Sequence, residues 1–126
     1  MAARCVHGLS ALLCLGLALP VPAQQLLIQR SPLAGFSHHA APRLWPQLRA
    51  GDALQLRLQR DNPHDAQAVQ LHWQGEMLGY LPRQANGALA RALADGLPLQ
   101  AHIGRLREHP DPRQRIEIEV WAGSAP

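Results

Sequence analysis

At 126 residues the chain has room for one domain. Its twelve basic residues are all arginine and face nine acids, a net charge of +3, far below the basic excess of a protein held to duplex DNA by many phosphate contacts. The two cysteines, Cys5 and Cys14, both fall within the first 23 residues, so a disulfide framework, a thiol nucleophile or a cysteine zinc site is excluded from the rest of the chain.

The first element reads as a processing signal rather than part of a fold. Met1 to Gly8 carries Arg4 and no acid, Leu9 to Val21 is apolar, and Val21-Pro22-Ala23 offers small residues at the positions a signal peptidase reads. Cleavage is expected after Ala23, which makes 24–126 an exported domain, periplasmic or secreted, with no stable membrane anchor. The apolar run is shorter than the roughly 20 residues a span requires and is broken by Pro20 and Pro22. Leu12 and Leu13 before Cys14 are a poor match to a lipoprotein signal. A domain of about 100 residues without disulfides is large enough to rely on its own core.

Gln24 to Arg30 reads as a short first strand, followed by an irregular stretch from Ser31 to Pro46. Ala53 to Arg60 alternates strictly, with Leu54, Leu56 and Leu58 on one face and Gln55, Arg57 and Gln59 on the other, the pattern of a half-buried strand. Alternation resumes with Val69, Leu71 and Trp73 inward and Gln70, His72 and Gln74 outward, and Gly75 reverses the chain into Glu76 to Leu81, giving a β-hairpin. Pro82 ends that strand. Arg83 to Asp95 sets Ala85, Leu89, Ala92 and Leu93 on one helical face, and Gly96 stops the helix. Leu97 to Ile103 and Arg115 to Trp121 form two further strands around the loop His109-Pro-Asp-Pro. Five or six short strands and one α-helix predict a mainly β domain, a small, twisted, SH3-like partly closed barrel with the helix plugging one end.

The segment Arg60-Asp-Asn-Pro-His-Asp between two strands stands out. Asn62-Pro63 starts a turn on backbone grounds alone, because proline presets φ and the Asn side chain accepts from an N–H two residues on. Arg60, Asp61, His64 and Asp65 supply more polar groups than a connector needs.

The run GDALQLRLQRDNPHDAQAV (Gly51–Val69), followed by Gly79-Tyr80-Leu81-Pro82, resembles the HIRAN domain family. That family's pattern is Gly-Asp, an alternating strand, Asn-Pro-Tyr-Asp, then Gly-Tyr-Val-Pro and a helix. The similarity covers about Ser31 to Trp121. The resemblance implies an OB-like fold that binds DNA at the 3′-hydroxyl end of a single strand. His64 would take the place of the aromatic residue that stacks on a base, and Asp65 that of the carboxylate that accepts from the terminal hydroxyl. A second aromatic would come from Phe36, His38 or His39. Asn62, Tyr80, Arg60 and Arg83 complete the candidate site, with the arginines as phosphate ligands; Arg57 could meet phosphate too, but outward beside Gln55 and Gln59 it reads rather as part of a solvated strand face. Histidine has a smaller face than tyrosine and can take up a proton near neutral pH, which predicts weaker, pH-dependent stacking.

Competing readings exist for each group. His38, His39, His64 and His72 could hold zinc, but adjacent histidines diverge and no His-x-His spacing is present; no cofactor is otherwise expected. Asp61 and Asp65 lack a nucleophile or a phosphate loop beside them, which argues against an enzyme. Trp73 and Trp121 read as core, and Trp45 as a partly exposed lid. The two functional readings are a module binding single-stranded nucleic acid, and a periplasmic protein- or peptide-interaction module on the same barrel. Convergence of Arg57, Arg60 and Arg83 on His64 would favour the first.

Overall fold

The computed structural model describes residues 25–123; the expected signal segment and its cleavage point lie outside them. The strands are β1 (Leu26–Pro32), β2 (Ala53–Gln59), β3 (Ala68–Trp73), β4 (Glu76–Tyr80), β5 (Leu99–Leu106) and β6 (Ile116–Ala122). Among the described residues two α-helical segments, α1 (Ala41–Leu44) and α2 (Gly87–Ala94), each adjoin a short 3-10 turn.

All six strands pair antiparallel in the order β1-β6-β5-β2-β3-β4. The alternating leucines, valines and isoleucines account for this: Val69, Leu71, Ile103, Ile116, Ile118 and Val120 are fully shielded from water, each contributing about 1.5–3 kcal/mol. The β3–β4 hairpin closes on Gln74 and Gly75, both at positive φ (46° and 83°), the type I′ geometry that matches strand twist.

The sheet does not close into a barrel. Its edge strands meet only where the chain leaving β1 crosses from one end of the sheet to the other. Leu33 N–H donates to Ile116 on β6 at 3.0 Å, and one residue later Ala34 and Tyr80 of β4 exchange bonds of 2.8 and 2.9 Å. The partial closure expected from strand count is a single bridge. Gly79 is required there, since a Cβ would collide with the carbonyl oxygen of Ala34.

The irregular stretch Ser31–Pro46 carries more structure than its sequence suggested. A 3-10 turn (Phe36–His38), α1 and a second 3-10 turn (Trp45–Gln47) fold over the sheet and bury Phe36, Ala41 and Leu44. The helix expected from Arg83 begins later. Arg83–Ala85 is a 3-10 turn, and α2 then buries Leu89 and Ala90. Gly96 (φ 75°) ends it as expected, with Gly96 N–H to Leu93 and Leu97 N–H to Ala92, a Schellman pattern. Leu97 is exposed, and β5 starts at Leu99 and runs on to Leu106. His72, expected outward, is only 8% exposed: β3 is an interior strand, and Gln55 and Met77 flank it on either side.

Candidate nucleic-acid interface

The loop between β2 and β3 is held by its own side chains. Asn62 Oδ1 accepts from the N–H groups of His64 (2.8 Å) and Asp65 (3.1 Å), as expected of an Asn-Pro turn. Asp65 Oδ1 accepts from Gln67 N–H at 2.9 Å, and the Asp65 carbonyl accepts from Ala68 N–H at 3.1 Å. From the segment after β4, Arg83 donates to the carbonyl of His64 at 3.0 Å. Both backbone polar groups of His64 are therefore engaged, while its ring stands exposed.

This loop forms one wall of a groove of roughly 790 Å³ beside the Ala34–Tyr80 bridge. Ala34, Ala68 and Leu81 supply apolar lining, and His38, His39, His64 and Tyr80 supply rings. His39 and Tyr80 meet edge to face with centroids 5.6 Å apart at 68°, an arrangement aromatic quadrupoles favour. Tyr80 is fixed at its far end by donating to Gln59 Oε1 at 2.8 Å, and Asn62 Nδ2 donates to the same oxygen at 3.2 Å. One glutamine thereby ties the strand end to the loop. The His39 pKa is lowered by burial and then by His38, so its ring is neutral at pH 7.

Asp65 is the acceptor of the groove. Its Oδ2 receives the amide of Asn86 at 2.8 Å. That bond, the Gln67 N–H and the nearby Arg83 hold the carboxyl below the usual carboxylate range. An ionised carboxylate has about four lone-pair positions and no proton to give. Two are occupied, so the free ones select a donor such as a hydroxyl.

Of the residues singled out in the sequence, His39, Asn62, His64, Asp65, Tyr80 and Arg83 line this one groove, together with His38. Phe36 does not, and it leaves the candidate set. It is 4% exposed, packed edge-on against Trp45 at 5.8 Å, with the Arg115 guanidinium over its ring at 5.1 Å. The 3-10 turn points residue 36 into the core, and residues 38 and 39 line the groove. Arg60 lies on another face, with Leu58, Ala90 and Arg91, and Arg57 is exposed on β2 beside Gln55. The convergence of Arg57, Arg60 and Arg83 on His64 that would have favoured nucleic acid is not found; Arg83 alone reaches the groove. The four histidines suggested for zinc are not brought together either, because His72 sits on β3 with Nε2 2.8 Å from Gln70 Oε1. Among the described residues no three His, Cys, Asp or Glu side chains form a metal-holding group.

Two residues that shape the groove escaped the sequence reading. Asn86 is buried at 3% exposure and orients Asp65; a polar residue one turn ahead of Leu89 and Ala90, on the inner face, was the available signal. Gln59 looked like one more outward residue of an alternating strand.

The fold is that of a small β-sheet module with a groove at the seam of an open sheet. The chain belongs to the HIRAN domain family, whose model matches residues 27–124. Two solved structures are similar in fold. A protein from Lactobacillus plantarum aligns with a TM-score of 0.68 at 23% identity, covering 80% of this chain and 97% of that one. The HIRAN domain of human HLTF aligns with a TM-score of 0.57 at 15% identity, covering 78% and 79%. No curated protein matches the sequence. Membership of the HIRAN family supports a nucleic-acid-binding module.

Proposed function

We propose that this domain captures the 3′-hydroxyl end of a single nucleic-acid strand in the groove between His39, Tyr80 and the Asn62–Asp65 loop. His64 and the His39–Tyr80 pair stack on the terminal bases, and Asp65 accepts the hydrogen bond of the terminal hydroxyl. The observation that carries this reading is the Asp65 carboxylate, held ionised by Asn86 and Gln67 and left with spare acceptor capacity inside a groove of rings. A groove with one arginine suits an end better than a long backbone, because a strand tracked along its length needs a row of cations. If Ala23 is the cleavage site, the strand is met outside the cytoplasm.

The test is fluorescence anisotropy of 5′-labelled oligonucleotides ending in a 3′-hydroxyl, a 3′-deoxy or a 3′-phosphate terminus. The hydroxyl end binds tightest, and Asp65→Asn erases its advantage over the 3′-deoxy end. Equal affinity for all three ends refutes end capture; no binding at low salt refutes nucleic acid as the ligand. A peptide-binding role finds support in the outer edge of β1, where Leu26 (69%) and Ile28 (43%) are exposed and a further strand could add. Binding of an extended peptide that is lost on Ile28→Pro would establish it.

A further inference from the structure

Away from the groove, the turn joining β5 to β6 gathers a cluster of arginines on one side of the domain. Arg30, Arg105, Arg107, Arg113 and Arg115 line a hollow of roughly 450 Å³ in which Asp111 and Glu117 are the only acids. Arg30 pairs with Glu119 at 3.0 Å and Arg113 with Asp111 at 3.1 Å. The other three have no ion-pair partner among the described residues. Arg115 donates to the carbonyl of His109 at 2.7 Å, and Arg107 to the carbonyl and side chain of Gln114. These neutral partners fix the direction of the guanidinium planes and leave their charge uncancelled. Arg105 is exposed on β5.

The hollow adjoins the groove. Pro32, in its wall, and Ala34, in the groove lining, are two residues apart, about 7 Å of extended chain. The turn Phe36–His38, which gives His38 to the groove, packs against the turn Pro112–Gln114, which gives Arg113 and Gln114 to the hollow. Like charges gathered around one hollow repel one another. An anion with several oxygens relieves that repulsion, and forked guanidinium donors match phosphate in geometry.

We propose that the arginine hollow is a second, phosphate-binding subsite, which holds the backbone of the same strand whose 3′ end occupies the groove. This rests on the groove reading. It explains how a groove with a single arginine retains a strand: the end is recognised at one place and the charge neutralised at another. A dinucleotide fills the groove alone, whereas a longer strand reaches both sites.

The experiment compares a thymidine dinucleotide and a decanucleotide, both with free 3′-hydroxyls, on the purified full chain across a range of salt. Wild-type protein binds both. Arg105→Gln with Arg107→Gln flattens the salt dependence of the decanucleotide by about 1.4 in log–log slope, from roughly 0.7 per phosphate on a single strand, and leaves the dinucleotide unchanged. Arg105→Lys with Arg107→Lys, which keeps the charge, preserves most of the slope and guards against a folding defect in the Gln pair. An unaltered decanucleotide slope in the Gln pair, with dinucleotide binding intact, overturns this proposal alone. So does equal weakening of both oligonucleotides. A wild-type protein that binds neither overturns the groove reading and this one with it.

Discussion

His64 is the residue at which the proposed stacking can be measured most cleanly. Its backbone N–H is held by Asn62 Oδ1 and its carbonyl by Arg83, while its ring is exposed. Replacing the ring leaves both backbone anchors in place, so His64→Ala subtracts an aromatic face and little else. An exposed side chain without structural bonds changes stability by less than about 0.5 kcal/mol. A base stacked on an aromatic residue is worth about 1–3 kcal/mol, which at about 1.4 kcal/mol per decade makes the dissociation constant for a 3′-hydroxyl oligonucleotide roughly 5- to 150-fold larger. His64→Tyr enlarges the face and is expected to tighten binding a few-fold over wild type, an increment of about 0.5 kcal/mol. Anisotropy titrations at fixed salt, with thermal melts as the stability control, give the order Tyr, His, Ala. If His64→Ala binds as wild type does while its melting temperature is unchanged, no base stacks on this loop and the assigned role is wrong.

Gly79→Ala forces a Cβ against the carbonyl oxygen of Ala34 at the bridge. The strain is expected to cost about 1–3 kcal/mol, a fall in melting temperature on the order of 10 °C, with loss of binding because Tyr80 moves with the seam; an unchanged melt would mean the bridge is not formed. Asn86→Ala removes the amide that orients Asp65 and is expected to destabilise by about 1 kcal/mol at neutral pH. The Asp65 pKa is lowered in the folded state, so its stabilisation is present above the unfolded carboxylate value of about 3.9 and disappears as pH falls through the folded value. The gap between wild type and Asn86→Ala in urea denaturation should therefore narrow below that range, and a constant gap would separate Asn86 from the carboxylate.

The strands were legible because one face of each is buried and alternation has a period of two. Leu54, Val69, Leu71, Ile116, Ile118 and Val120 all fell on the expected face. The Asn62–Asp65 loop was legible for a different reason: its turn chemistry is local, and the bonds of Asn62 and Asp65 to the following N–H groups need no tertiary partner. What failed depended on distant contacts. Phe36 lies in a segment without periodicity, where only the packing of a 3-10 turn on Trp45 and Arg115 decides which ring goes inward. The orientation of Asp65 is set by Asn86, 21 residues away in sequence. The closing bridge between Ala34 and Tyr80 is a backbone event that leaves no mark except Gly79.

The distribution of charge bears on how such a domain would discriminate. Exposed charges are screened over about 8 Å at physiological ionic strength, so the lone groove arginine, already committed to the His64 carbonyl, adds little long-range attraction. Stacking and a hydrogen bond to an ionised acceptor are short-ranged and nearly salt-independent. Placing the terminal nucleotide on His39, Tyr80, His64 and Asp65, and the backbone on Arg105, Arg107 and Arg115, separates the contact that distinguishes one end from another from the contact that every strand would make equally. The ratio of affinities for 3′-hydroxyl and 3′-deoxy ends should then stay constant as salt rises, even while both affinities fall. A ratio that decays with salt would place end recognition in the charges and not in the groove.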